Sequence, residues 1–255
     1  MSYDHSTKAG NRGVVWKHYI LLTVLDDLVS QAEPDSFSYL DTHAGSGLYR
    51  LDDCCSWQEG IGRIDSQVRG EHPYFTIASS YLDRGYYPGS WRLVHHYLKQ
   101  HHIAANIRLF DTSGKVASAV GKDSTLDPEI DYRPTDGFKA IGTGINPDLV
   151  LIDPPYRPGY TADRQRTREA ADKLNDRRVA YCAWYPLQGD SEPLEVPGRT
   201  GFEIHWRNKQ TAAKNQMYGS GVVVDMRSKG ILLSRLGELE KIAALLDSEV
   251  FFRNR

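Results

Sequence analysis

Residues 149–156, LVLIDPPY, constrain the fold more than any other stretch of this chain. Four consecutive aliphatic residues, Leu149 to Ile152, run straight into Asp153, two prolines and a tyrosine. An uninterrupted aliphatic run suits a strand buried on both faces, as the central strands of a parallel sheet are. Pro154 and Pro155 have no N–H to give to a ladder, so the chain must leave the sheet there. In open α/β sheets, ligands bind just outside the carboxyl ends of strands. A bare Asp-Pro-Pro also suits a stiffened turn with a capping acid, so the decision rests on the rest of the chain.

Strand and helix patterns alternate along it. Apolar residues at helical spacing (Ile20, Leu21, Val24, Leu25, Leu28) predict an amphipathic helix over Val14 to Val29. Phe37 to Leu40 reads as a strand ending at Asp41, and Ile107 to Phe110 as a strand ending at Asp111. Helices are expected over Ser90 to Gln100, with Ser90 as N-cap, and over Lys115 to Val120, Arg164 to Arg178 and Leu236 to Leu246. Further strands are expected at Val179 to Trp184, Phe202 to Trp206, Val222 to Met226 and Val250 to Phe252. Such alternation implies a Rossmann-like α/β fold, a mostly parallel sheet with helices on both faces. Residues 51–89 break the pattern: they are polar, with their own apolar positions at Tyr74, Phe75, Ile77 and Tyr81. They read as a small helical insertion between residues 1–50 and 90–255, which form the main domain.

With 40% hydrophobic residues in 255, the chain can build a full core, which excludes general disorder. The net charge of −2 offers no global basic field for nucleic acid, so any such binding must use a local patch. Cys54, Cys55 and Cys182 have neither disulfide nor metal-ligand spacing. The longest apolar stretch, Tyr19 to Leu25, is far too short to span a bilayer, and MSYDHSTKAGNRG has no signal core. A soluble, cytoplasmic protein is the expectation.

Three successive core strands thus end in an acid: Asp41 before THAGSG, Asp111 before TSG, and Asp153 before PPY. Gly45 and Gly47 permit a tight turn and close approach of backbone to a ligand, though the spacing is not that of a dinucleotide-binding loop. Asp111 stands where nucleotide folds hydrogen-bond ribose hydroxyls. Asp136 and Gly137, in the turn TDGF, are placed to meet an adenine edge. Singly, each acid is equally a cap or turn residue. In this order they describe a site for S-adenosylmethionine. An exocyclic base amine is a poor nucleophile until its lone pair leaves the ring, and two fixed acceptors favour that geometry. Asp153 and the Pro154 carbonyl are so placed, and Tyr156 offers a ring on which a base stacks, worth roughly 1–3 kcal/mol.

Carried on these motifs, the chain resembles the bacterial 23S rRNA adenine-N6 methyltransferases of the RlmJ (YhiR) type. The opening SYDHSTKAGNRGVVWKH, then LDTHAGSGLYRL, YYPGS, TDGF, LVLIDPPY and AWYP are all similar to that family. The resemblance implies a Rossmann-like methyltransferase with a small helical insertion. It implies cofactor contacts from His18, His43, Ser90, Asp111, Asp136 and Gly137, with Lys17 supporting the pocket beside Asp41, Gly45 and Gly47. Asp153 would serve the target amine, and Tyr3, with His5 in the same tail, would face RNA. Departures are Lys8 in place of a histidine, Val14 in place of an aspartate, and Asp111 in place of a glutamate. The segment from Pro186 to Gly201 is too short and proline-rich for the family's helix, and the insertion is shortened.

Arg157, Arg164, Arg166 and Arg168 follow the catalytic loop, where a phosphate backbone must lie, and are assigned to substrate. Their other reading is a solvated helix face paired to Glu169 and Asp172. Lys209 and Lys214 are second candidates. His95-His96 and His101-His102 lack an acid or cysteine to complete a metal set, so no metal is expected. Trp184-Tyr185-Pro186 suits either a second wall of the base pocket or core packing. The expected activity is adenine-N6 methylation of RNA, most directly 23S rRNA, by a monomer with no membrane partner. A DNA adenine-N6 methyltransferase is the runner-up, and a non-catalytic RNA- or S-adenosylmethionine-binding relative the third class. Glutamine methylation usually goes with an Asn-Pro-Pro-Tyr loop, from which Asp153 departs.

Overall fold

The computed structural model describes residues 8–53, 56–122, 127–144, 146–156, 161–189, 193–207 and 216–254. The first half runs α1 (Arg12–Ala32), β1 (Ser36–Asp41), β2 (Leu48–Arg50), α2 (Ile61–Val68), α3 (Pro73–Leu82), β3 (Tyr86–Pro88), α4 (Ser90–Gln100) and β4 (Ala104–Phe110). It continues with α5 (Gly114–Gly121), β5 (Ile130–Arg133), α6 (Gly137–Ala140), β6 (Leu149–Ile152), α7 (Thr161–Asp176) and β7 (Ala180–Gln188). The chain closes with β8 (Thr200–Trp206), β9 (Met217–Val224), α8 (Met226–Ser234), α9 (Leu236–Leu245) and β10 (Ser248–Asn254).

An eight-stranded sheet in the order β10-β8-β9-β7-β6-β1-β4-β5 organises the molecule. From β5 through β7 the strands are parallel, and β9, β8 and β10 complete it as antiparallel neighbours. The run Leu149–Ile152 is completely buried, and its side chains alternate between two cores. Leu149 and Leu151 join α1 and α4 on one face; Val150 and Ile152 join α6 and α7 on the other. Helices therefore cover both faces, which is why this strand tolerates no polar residue.

The short strands β2, β3 and β5 and the helices α6 and α8 escaped the sequence patterns. β5 is four residues with alternating charge, and Met226 begins α8, capped by Asp225, rather than ending a strand. Ser90 is the first residue of α4, not its N-cap; Gly89 holds that position with no side-chain bond.

Residues 51–89 hold α2, α3 and β3, and β3 pairs with β2 in a separate two-stranded ribbon. We propose that they form an insertion whose ends this ribbon brings together. Its helix α3 is tied to α1: the His72 ring lies 4.4 Å from that of Tyr19, and its Nε2 lies 3.2 Å from Thr23 Oγ1.

Candidate active site

Strands β4, β1 and β6 lie side by side in parallel, so the acids after them share one edge of the sheet. Their loops are stitched together by backbone. Thr42 donates from both N and Oγ1 to the Leu151 carbonyl, at 3.1 Å each, and Ala44 N donates to the Phe110 carbonyl at 2.9 Å. Asp111 accepts from Gly45 N at 3.1 Å and from Ser113 N at 2.8 Å, which folds the glycine turn of β1 over the end of β4. Chain order reverses between β1 and β6, where the diverging connections leave a crevice.

That crevice is a cavity of about 730 Å³, within the range of about 300–1,000 Å³ usual for cofactor sites. Lys17, His18, His43, Gly45, Ser90, Asp111 and Asp153 all line it. A smaller cavity of about 260 Å³ shares His43, Thr112 and Pro155 with it and adds Asp136, Gly137, Asp163 and Arg166. Asp136 caps α6 by accepting from Phe138 N at 3.1 Å. Gly137 is small by necessity: a Cβ there would sit 2.3 Å from the Thr42 carbonyl.

Two residues assigned to the cofactor from sequence do not reach either cavity. Gly47, at φ +73°, packs against Trp91, whose ring a Cβ would meet at 2.0 Å. Asp41 is fully buried behind the cavity and accepts from His43 N (3.2 Å), Tyr39 OH (3.0 Å) and Ser90 Oγ (2.6 Å). Burial pushes its carboxyl up to about 6, against the opposing pull of the Ser90 hydrogen bond. It braces the loop and α4 rather than facing the ligand. Burial likewise lowers the His43 imidazole below its ordinary value, opposed by nearby acids, Asp153 first.

Asp153 is held by Lys17. Nζ lies 2.5 Å from Oδ2, and the side chains are 3% and 7% exposed. The lysine comes from the most buried stretch of α1, and the pair bridges that helix and the loop after β6 across 136 positions of sequence. Among the described residues no donor takes Oδ1. Beside Lys17, His18 Nδ1 lies 2.9 Å from Tyr87 OH, itself 3.0 Å from Tyr74 OH. Both tyrosines belong to residues 51–89, which therefore back the cavity wall.

Tyr156 is buried at 5% exposure and lines neither cavity. Its backbone takes the left-handed φ of +43°, and its hydroxyl donates to the Trp184 carbonyl at 2.8 Å. Trp184 meets it edge-on at 5.7 Å, with its own ring 6.0 Å from Lys17 Nζ and its Nε1 donating to Ser220 Oγ at 2.6 Å. Of the Trp-Tyr-Pro run only Trp184 stands beside the site, because Tyr185 points into the core and donates to Glu203 at 2.7 Å.

On α7, Arg166 pairs with Asp136 and lies 4.3 Å over the Phe138 ring; exposed Arg168 donates to the Glu195 carbonyl at 2.8 Å. Arg164 is half-buried on the same helix. Tyr3, His5, Arg157, Lys209, Lys214, Cys54 and Cys55 lie outside the described residues, and Cys182 is a buried free thiol. The expectation that no acid completes a set with the histidines is corrected. Asp127 and Glu129 bring their oxygens within 4.8 Å of His95, although Lys99 Nζ already answers Asp127 at 3.4 Å. No helix among the described residues is long and apolar enough to cross a membrane.

The lining suits S-adenosylmethionine by its chemistry. Carboxylates at the ends of β4 and β6 face the larger cavity, as a sulfonium and a ribose diol require, and Asp136 gives the smaller one an acceptor for an amine. Carried on a parallel sheet whose strand order reverses between them, these groups place the protein among the Rossmann-like methyltransferases that use S-adenosylmethionine.

Residues 34–195 match the family model described as Ribosomal RNA large subunit methyltransferase D, RlmJ. The chain is 28% identical over 204 residues to Ribosomal RNA large subunit methyltransferase J of Escherichia coli K12, covering 73% of this chain and 70% of that protein. To the protein of the same name from Haemophilus influenzae Rd it is 29% identical over 249 residues, covering 88% and 86%. The fold matches the crystal structure of LPL1258 from Legionella pneumophila with a TM-score of 0.73 at 21% identity, over 96% of this chain and 98% of that one. The chain belongs to the RlmJ family of ribosomal RNA methyltransferases, as a divergent member.

Proposed function

We propose that the protein methylates the N6 amine of an adenine in large-subunit 23S rRNA, on a base turned out of its stack. The observation that carries this is the position of Asp153: a carboxylate at the end of β6, on the wall of the cofactor cavity, with Lys17 on Oδ2 and, among the described residues, no protein donor on Oδ1. S-adenosylmethionine, when bound, supplies a methyl group on a sulfonium that an amine can take directly. Asp111 and His43 would hold its ribose side, Asp136 and Gly137 its adenine, and His18 and Ser90 its amino-acid end.

The protein's part is to hold the amine. Oδ1 of Asp153 accepts one N–H and the Pro154 carbonyl the other, which draws the nitrogen lone pair out of conjugation and toward the methyl group. Lys17 fixes the carboxylate so that little reorganisation remains when the base arrives. The base would stack against Trp184, beside the Lys17–Asp153 pair, with the buried Tyr156 ring bracing it edge-on; stacking there would offset the few kcal/mol of base flipping. Arg164 and Arg168 on α7, with Tyr3 and His5 of the tail, would meet the RNA. The protein would act as a monomer on RNA free of ribosomal protein.

The test is a transfer assay with labelled S-adenosylmethionine and three acceptors offered in parallel: protein-free 23S rRNA, 16S rRNA and unmethylated genomic DNA. N6-methyladenosine in 23S rRNA alone is the expected product. Label confined to DNA would replace this function with DNA adenine methylation, and cofactor binding without label in any acceptor would leave a non-catalytic relative.

A further inference from the structure

We infer that Arg166 is a positioning residue of the cofactor's adenine subsite, holding the Asp136 carboxylate at the edge of the smaller cavity, rather than a contact to nucleic acid. This rests on the adenine lying in that cavity with Asp136 as acceptor for its amine.

Three features carry it. Arg166 itself lines the smaller cavity, opposite the turn after β5. Its guanidinium is ion-paired with Asp136, while Phe138 N donates to the other oxygen of the same carboxylate. Two donors from different elements therefore fix the acid, and each oxygen keeps a lone pair for an incoming amine. The guanidinium also lies over Phe138 at 4.3 Å, and the His43 ring meets that phenyl edge-on at 5.0 Å. Arg166, Phe138 and His43 thus form one stack from α7 to the loop after β1, and His43 borders both cavities.

The same contacts argue against a phosphate. To reach RNA the guanidinium would have to leave a carboxylate and an aromatic face, in a cavity that a second acid, Asp163, also lines. A charge-assisted bond to a carboxylate is about twice as strong as a neutral one, so this guanidinium is already well engaged. Since α7 begins shortly after the catalytic loop, Arg166 also ties the element that follows Asp153 to the cofactor's far end.

The experiment measures binding of S-adenosylmethionine and of 5′-methylthioadenosine, its nucleoside half, by calorimetry to wild type, Arg166→Met, Arg166→Lys and Asp136→Asn. Arg166→Met should weaken both ligands about tenfold, the worth of one charge-assisted contact, and Arg166→Lys should recover part of it. KM for the cofactor should rise with kcat unchanged at saturation, while RNA affinity and its salt dependence stay as in wild type. Added to Asp136→Asn, Arg166→Met should cost nothing further. Unchanged affinity for both ligands in Arg166→Met, or an RNA salt slope reduced by about one phosphate contact, would overturn the assignment. If Asp136→Asn itself leaves 5′-methylthioadenosine binding intact, the placement of the adenine fails as well. If Asp136→Asn weakens binding and Arg166→Met does not, only the role of Arg166 fails.

Discussion

Replacing Lys17 by methionine should expose how much of this site is held by one ion pair. The ammonium and the Asp153 carboxylate are 2.5 Å apart and almost fully buried. At an effective dielectric of about 20, two unit charges at that distance attract by about 6–7 kcal/mol, most of which repays their desolvation. Removing one partner forfeits the attraction and leaves the other charge desolvated, a loss of about 3–5 kcal/mol. In a domain of this size each kcal/mol moves the melting temperature by about 2–4 °C, so Lys17→Met should melt on the order of 10 °C lower. Asp153→Leu should lose a similar amount. The double variant Lys17→Met/Asp153→Leu buries no charge and should regain most of the stability, with a coupling above about 2 kcal/mol. It should nevertheless be inactive, having no acceptor for the amine. Urea denaturation followed by circular dichroism reads all three variants. Single variants within about 0.5 kcal/mol of wild type, adding without coupling, would refute the claim that the pair is desolvated.

Asp41 titrates in the folded protein near 6, above its ordinary 3.8, so between those values the folded chain holds a proton the unfolded chain has released. Its contribution is complete below about pH 4 and is lost as pH rises through 6, to a total of about 3 kcal/mol. Asp41→Asn keeps an acceptor without the charge and should be more stable than wild type above pH 7, with the advantage vanishing toward pH 4 in thermal melts. Gly47→Ala combines a left-handed φ with a Cβ 2.0 Å from the Trp91 ring and should cost about 3 kcal/mol in urea denaturation. Gly70→Ala, where the Cβ would meet open space, should cost about 1 kcal/mol, and equal losses at the two sites would show that the Trp91 contact is not a constraint. Tyr156→Phe removes the hydroxyl that donates to the Trp184 carbonyl and meets Thr167, and should lower stability by about 1–2 kcal/mol while KM for RNA holds, the ring that braces Trp184 being kept.

The strand that ends in Asp153 was legible because burial on both faces leaves an unbroken aliphatic run that the prolines must stop, and those that end in Asp41 and Asp111 because short apolar-rich stretches halt at an acid before a glycine-bearing turn. The helix α1 was legible from its apolar periodicity. β5 was not, since IDYR is too short and too charged to signal a strand; its neighbour β4 supplies the order. Lys17 and His18 carried a trace of their role. They interrupt an otherwise apolar stretch, VVWKHYILL, and all of its positions face the interior. What that stretch could not reveal was the partner, because Asp153 arrives only when β6 docks beside β1. Gly47 looked like a ligand-facing glycine and proved to make room for a tryptophan on α4. Ser90 looked like a cap and instead donates to Asp41, a bond that depends on how α4 packs and not on its own sequence.

The central claim is that Asp153 holds the amine that takes the methyl group, and Asp153→Asn tests it most directly because the amide preserves the shape and an acceptor oxygen. Single-turnover methyl transfer to protein-free 23S rRNA should be compared with wild type, with affinity for S-adenosylmethionine measured on the same preparations. The expected result is a rate lower by about 10²–10³, as for loss of one preorganised electrostatic contact, with cofactor affinity nearly unchanged. A wild-type rate in Asp153→Asn would contradict the account, and so would a slowed rate that tracks an equal loss of cofactor binding.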